Sequence, residues 1–292
     1  MENRIQSLLC ALNICQATSV EPFYPRVRDR EDIAVLRCRR SGVIFLSRSD
    51  HMERAHYESR ADLAYWGEVD RKAALATTAM DDERRSAQFR EMIAGKLWLD
   101  VGTGLGGILE LLGSSAAGVT AVEPQAGPRE CLQKRGFQVY QSLEDLPDQK
   151  ADTVTLFHVF EHFTDPLESL RRIRAVMKPG ARIVIEVPHA RDVLLSSFEN
   201  DAFKAFTFWS EHLILHTRQS LTVFLESAGF QGITVSGYQR YPLANHLYWL
   251  AKGLPDGQKA WPHLRAPDAE CAYAAMLENI DQTDTLIAVA QA

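Results

Sequence analysis

Two groups of residues in this 292-residue chain have types and spacings suited to chemistry. The first is WLDVGTGLGG at residues 98–107, an apolar run that holds one aspartate, Asp100, and then places four glycines within six positions. A glycine loop at the carboxyl end of a strand lets backbone approach a bound nucleoside and turn sharply into the following helix. The second is a set of histidines, His158, His162, His189 and His212. A neutral imidazole near pH 7 can take the proton from a reacting hydroxyl, so these are candidate general bases for transfer of a group onto oxygen.

The glycines alone leave the cofactor open. Gly102, Gly104 and Gly107 fit G-x-G-x-x-G, a dinucleotide fingerprint, and also the looser loop that holds S-adenosylmethionine, which carries no phosphate. Glu123 closes the run GVTAVEP, about twenty residues past the loop, where a carboxylate accepts hydrogen bonds from the ribose hydroxyls of either cofactor. Asp100 separates the two. An unpaired carboxylate buried at a strand end costs several kcal/mol; a pyrophosphate would repel it, whereas a methionyl ammonium would satisfy it. The bland alternative is an aspartate that merely accepts loop N–H groups.

These residues need a scaffold, and the pattern from residue 97 onward supplies one. Short β-rich runs at 97–101, 118–122, 137–140, 153–157, 182–187, 232–236 and 285–290 alternate with helical stretches, the signature of a parallel sheet with crossover helices. In TDPLESLRRIRAVMKPG, Asp165 is placed to cap a helix, Pro166 suits its first position and Pro179 with Gly180 stop it. Leu221, Phe224, Leu225 and Ala228 give a second amphipathic helix ending at Gly229. Residues 1–94 read as an N-terminal cap or lid, with a long charged helix over 68–94 whose apolar face is Leu75, Phe89, Met92 and Ile93. Residues 95–292 form the main domain, interrupted at 239–283 by an insertion rich in aromatics and turn signals.

With those motifs in view, the chain resembles a class I S-adenosylmethionine-dependent methyltransferase of the broad type-11/type-23 kind, similar to those of bacterial surface-polysaccharide pathways. The resemblance rests on LDVGTGLGG, AVEP, SLEDLP (142–147), ADTVTLFHVFEHFTDP (151–166) and MKPGARIVIEVP (177–188), and covers about residues 95–236. It implies an α/β fold with a Rossmann-like seven-stranded sheet of order 3-2-1-4-5-7-6, the last strand antiparallel. It implies S-adenosylmethionine as cofactor, with Asp100, Gly102, Thr103 and Gly104 at the methionyl part and Glu123 at the ribose. Ser142 and Leu143 would border the adenine, although many relatives place an aspartate where Ser142 stands. The backbone around Phe157 and His158 would close over the sulfonium.

His162, His212 and His189 are the candidate catalytic bases, His162 first among them. No metal is expected, but His158, Glu161 and His162 stand at i, i+3 and i+4, and some related O-methyltransferases bind a divalent ion through Glu-x-x-Glu-His at this place. The plainer reading has Glu161 and His162 cap and orient a helix. In FTFWSEHLILHT (206–217) the resemblance puts Trp209, Glu211 and His212 toward the acceptor, while Phe206, Phe208, Trp209, Leu213 and Leu215 could equally be core. Tyr241, Asn245, His246, Tyr248 and Trp249 mix aromatics with hydrogen-bonding groups, which suits sugar recognition or a helix packed on the sheet or at a dimer contact. Similar proteins begin with a zinc-binding segment; here Ser41 follows Arg40 where a second thiol would stand, so no metal is expected there.

Composition sets the outer limits. A net charge of -6 argues against nucleic acid as the partner, since duplex affinity rests on clustered Lys and Arg. Five scattered cysteines without a C-x-x-C pair indicate a reducing cytoplasm rather than a disulfide framework. No run reaches the roughly 18 apolar residues of a membrane span. The function expected is O-methylation of a small molecule or of a sugar or glycan precursor, possible homodimer included. Its rivals are an NAD-dependent oxidoreductase and a non-catalytic S-adenosylmethionine-binding protein.

Overall fold

The computed structural model describes residues 3–52, 70–147 and 150–292. Its main sheet is built from β4 (Leu97–Val101), β5 (Gly118–Val122), β6 (Gln138–Tyr140), β7 (Ala151–Phe157), β8 (Met177–Pro188), β10 (Gln231–Tyr238) and β11 (Thr285–Gln291). All seven runs expected from the pattern are strands. Their spatial order is β6-β5-β4-β7-β8-β11-β10, which is 3-2-1-4-5-7-6 by sequence, and β11 runs antiparallel to both neighbours. The central strands are buried on both faces, so they read as near-continuous apolar runs.

Register decides which side chains meet. Asp100 on β4 lies beside Thr155 on β7 and Ala121 on β5, sharing a face with Trp98. That face packs under helix Arg71–Ile93, with Phe89, Ile93, Trp98, Ile108 and Val184 in one apolar cluster. The opposite face, with Leu99, Val154, Leu156 and Ile185, is covered by helices Pro166–Ala175 and Arg218–Ser227. Asp165 caps the first of these, accepting from the Glu168 N–H at 3.1 Å, with Pro166 at the first helical position.

The segment ahead of the main domain holds more than the expected helical cap. Helix Arg71–Ile93 is present, but β1 (Val20–Tyr24), β2 (Val35–Cys38) and β3 (Ile44–Leu46) form a second, antiparallel sheet completed by β9 (Ile214–Leu215) from the main domain. These strands have two to five residues and Pro22 interrupts β1, so no alternation is long enough to announce them. Residues 53–69 of the expected cap, including the start assigned to its long helix, lie outside the described residues. The 239–283 insertion folds into helices Leu243–Lys252, Gly257–Ala260 and Pro267–Asn279, and Trp249 of the first packs on Phe203 and Phe206. Among the described residues no helix is long and apolar enough to cross a membrane.

Candidate active site

At the carboxyl ends of the parallel strands lies a cavity of about 1170 Å³. That exceeds the roughly 300–1,000 Å³ typical of one small ligand, leaving room for a cofactor and an acceptor together. Asp100, Gly102, Thr103, Gly104, Glu123, Ser142, Leu143, His158, His162, His189 and His212 all line it.

The glycine loop forms because nothing else fits. Gly102 adopts φ 72° and Gly106 φ 73°, a region open to glycine, and a Cβ on Gly102 would overlap Val159 in the turn after β7. Asp100 is 2% exposed, and its Oδ1 accepts from Thr155 Oγ at 2.5 Å; Thr155 in turn accepts from the Trp98 indole N–H at 2.8 Å. Burial pushes the Asp100 carboxyl up to about 6. Glu123 accepts from the Gly104 N–H at 2.7 Å and the Gln125 N–H at 2.8 Å, and burial raises it to about 7. Each Glu123 oxygen keeps a second acceptor position for a ribose hydroxyl. Gln125 Oε1 is buried with no partner among the described residues, and its residue lines the same end of the cavity. Two desolvated carboxylates around a backbone cradle fit a ligand with an ammonium and a diol better than a pyrophosphate. Ser142 donates to Asp145 at 2.7 Å, so an acidic group stands next to the place where relatives carry theirs.

The histidine side differs from its expected arrangement. Residues 160–162 form a single 3-10 turn and the α-helix begins only at Pro166, so His158, Glu161 and His162 do not share a helix face. His158, at φ 55°, sits between two buried carboxylates, its Nδ1 3.4 Å from Glu161 and its Nε2 3.3 Å from Glu186. Burial alone would depress it, but those carboxylates hold it above its ordinary value. The group that converges is Glu161, His162 and His212, whose possible ligand atoms lie within 4.8 Å of one another. The rings of His162 and His212 are 5.2 Å apart at 77°. Burial lowers both, His212 to about 3, so both are neutral imidazoles near pH 7. Glu161 is fully buried, and among the described residues neither carboxylate oxygen has a well-aligned hydrogen bond; burial opposes its charge, yet the His158 contact at 3.4 Å holds the carboxyl at about 2. His189 stands apart: its Nδ1 donates to the Thr283 carbonyl at 2.9 Å and its Nε2 is 3.7 Å from Asp281, neither of which lines the cavity.

Several site residues lay beyond the sequence reading. The loop carrying His212 is gripped by the N-terminal segment: Asp29 accepts from the Ser210 N–H at 3.0 Å and hydroxyl at 2.6 Å, and the Arg28 guanidinium stacks 4.6 Å over Trp209. Asp82 leans onto the glycine loop, where a Cβ on Gly107 would overlap its carboxylate. Glu186, fully buried on β8, accepts from Arg84 at 2.8 and 2.9 Å and from Arg85 at 2.6 and 3.1 Å, tying helix Arg71–Ile93 to the sheet. A glutamate inside the apolar run RIVIEVP was a readable signal that a partner must exist. Glu186→Ala should destabilise the fold by about 3–5 kcal/mol, because it removes the carboxylate that Arg84 and Arg85 both bond most closely and leaves them, among the described residues, only the longer ion pairs to Asp81 at 3.4 Å and Asp82 at 3.8 Å. Denaturant unfolding checks this; a loss under 1 kcal/mol would show that the arginines find other partners.

Against known proteins, residues 65–235 match the family model described as "Methyltransferase domain". The ubiquinone biosynthesis O-methyltransferase of Pseudomonas paraeruginosa is 28% identical over 153 residues, covering 48% of this chain and 64% of that protein. The protein of the same name from Aeromonas salmonicida is 29% identical over 166 residues, covering 52% and 69%. The chain thus spans about two thirds or less of the Pseudomonas relative's length. Among solved structures, a SAM-dependent methyltransferase from Archaeoglobus fulgidus superposes with TM-score 0.51 at 20% identity, over 77% of this chain and 95% of that one. A possible histamine N-methyltransferase from Thermotoga maritima gives 0.50 at 15% identity, over 75% and 93%. The chain belongs to the methyltransferase domain family.

Proposed function

We propose that the protein transfers the methyl group of S-adenosylmethionine to a hydroxyl of a small acceptor, with a sugar or glycan precursor as the acceptor class. The observation that carries this reading is the neutral His162–His212 pair, backed by ionised Glu161, in the same cavity as Asp100 and Glu123. The cofactor supplies an activated methyl carbon on a sulfonium. Asp100 would hold the ammonium of its methionyl part and Glu123 its ribose hydroxyls, which would align the methyl group with the acceptor. His162, with His212 beside it, would take the proton of the acceptor hydroxyl as that oxygen receives the methyl group. Glu161, 3.7 Å from His162 Nε2, stabilises the imidazolium that forms. Trp249 and the polar residues Tyr241, Asn245 and His246 also line the cavity, and an aromatic group among hydrogen-bonding ones suits a hydroxylated ring.

A second reading is favoured by one observation. Glu161, His162 and His212 have the donor chemistry and closeness of a divalent-cation site, and a cation there would lower the acceptor hydroxyl's pKa in place of a base. Equilibrium binding and label transfer test both. S-adenosylmethionine is expected to bind and NADH not to, and label from the methyl group is expected in a glycan-precursor fraction with no loss on chelation. Binding of NADH alone overturns the proposal, cofactor binding without label in any acceptor leaves a non-catalytic protein, and loss of transfer on chelation favours the metal reading.

A further inference from the structure

The acceptor end of the cavity contains a carboxylate that the methyl-transfer scheme does not use. Asp192, in the turn after β8, is 4% exposed and lines the cavity; its Oδ1 accepts from the Leu194 N–H at 2.7 Å, and no cation stands against it among the described residues. A second carboxylate that lines the cavity and repels it, Asp284, accepts from the Gln239 side-chain amide at 2.7 Å and the Arg240 and Tyr241 N–H groups at 3.0 and 2.9 Å. The guanidinium of Arg240, which acts on Asp284, is committed to Asp81, and that of Arg191 to Asp281. Tyr273, which faces both carboxylates, is held by His246 Nδ1 at 2.7 Å, and burial keeps that imidazole neutral, so it brings no charge. Burial and Asp284 together raise the Asp192 carboxyl well above its ordinary range. An unopposed, nearly dry carboxylate is costly unless something cationic meets it.

A second group points to the same ligand. Asn245 is 4% exposed and lines the cavity; its Oδ1 accepts from the Gly257 N–H at 3.2 Å, while its amide NH₂ has no partner among the described residues. Its free donors call for an oxygen acceptor such as a hydroxyl. Trp249, with Phe203 centred 5.3 Å away, supplies an aromatic wall that favours cationic and C–H-rich ligands alike.

We infer that the acceptor is an amino alcohol of the hexosamine kind, whose protonated amine pairs with Asp192 and whose hydroxyl accepts from Asn245. The amine is a recognition group here and the methylated oxygen lies at the His162 end. This rests on the methyltransferase reading above. The test is calorimetric titration of the full chain, saturated with S-adenosylhomocysteine, with glucosamine, N-acetylglucosamine and glucose. Glucosamine should bind at least tenfold more tightly than either neutral analogue, and Asp192→Asn should shrink that preference below twofold with S-adenosylhomocysteine affinity retained. Equal affinities, no binding of glucosamine, or a preference surviving in Asp192→Asn would overturn the inference. Because the wild-type comparison stands alone, a variant that does not fold leaves the result readable. Failure of S-adenosylhomocysteine itself to bind would instead overturn the methyltransferase reading.

Discussion

Asp100→Asn is expected to weaken S-adenosylmethionine binding by about 10- to 100-fold, the value of one hydrogen bond to a charged partner, and to stabilise the cofactor-free protein. The two effects have one cause. The amide keeps the shape of the carboxyl and its oxygen still accepts from Thr155, so the fold loses little, but the charge facing the ammonium is gone. In the free protein that charge is a burden, since burial lifts the Asp100 carboxyl from 3.8 to about 6. A folded-state value above the unfolded one means that the native state holds the proton more tightly, so the contribution of Asp100 falls as pH rises from about 4 to about 6. Above that window the penalty is full, roughly 3 kcal/mol at about 1.4 kcal/mol per unit. The melting-temperature advantage of Asp100→Asn should therefore be largest at pH 8 and vanish near pH 4. Scanning calorimetry of the cofactor-free pair at both values, with titration of cofactor at pH 8, measures both effects. A variant less stable than wild type at pH 8 would show that Asp100 serves the Trp98–Thr155 chain rather than the ligand.

That tension between ligand and fold is also why the cofactor half of the site was legible in the sequence. A strand that is buried on both faces carries a carboxylate at position 100 only at a cost, so the exception marks Asp100 as the position to explain. The main sheet was legible for a related reason: strands between crossover helices are bounded by their own turns and caps, and β4, β5, β7 and β8 each show as a short apolar run without help from distant residues. The second sheet has no such local cause. Ile44 pairs with Leu215 and Phe45 with Ile214, so β9 exists only because two segments some 170 positions apart meet, and neither segment has enough alternation to show it.

The acceptor half was only partly legible, and the reason lies in one turn. A helical reading of residues 158–162 stacks His158, Glu161 and His162 on a face, but His158 follows the end of β7 at positive φ and residues 160–162 tighten into a 3-10 turn. His158 is thereby drawn between Glu161 and Glu186, and its place beside Glu161 and His162 is taken by His212. What brings His212 there is the grip of Asp29 on Ser210 and the Leu213 N–H bonded to the Glu161 carbonyl at 2.9 Å. The N-terminal segment thus supports the loop that carries His212, a role that composition and spacing do not reveal.

His162→Ala is expected to lower kcat by about 100- to 10,000-fold, the range for loss of a general base, with cofactor affinity within a factor of two of wild type. Alanine removes the proton acceptor without touching Asp100 or Glu123 at the other end of the cavity. The pH profile tells the base from a merely packed ring. Burial puts the His162 value below 6.5, so in wild type kcat should climb with pH through a midpoint under 6.5 and stay flat to pH 8, because the base is already neutral there. Glu161 opposes that lowering, since its charge favours the imidazolium. Glu161→Gln should therefore shift the midpoint to lower pH and reduce the plateau, because a weaker base accepts the proton less readily. A structural role for His162 would lower kcat without moving the midpoint in Glu161→Gln. A cation held by Glu161, His162 and His212 would make both variants lose bound metal, read by elemental analysis. His162→Ala with more than half of the wild-type kcat would place the base elsewhere, and His212, whose Nδ1 is buried without a partner among the described residues, would be the next to replace.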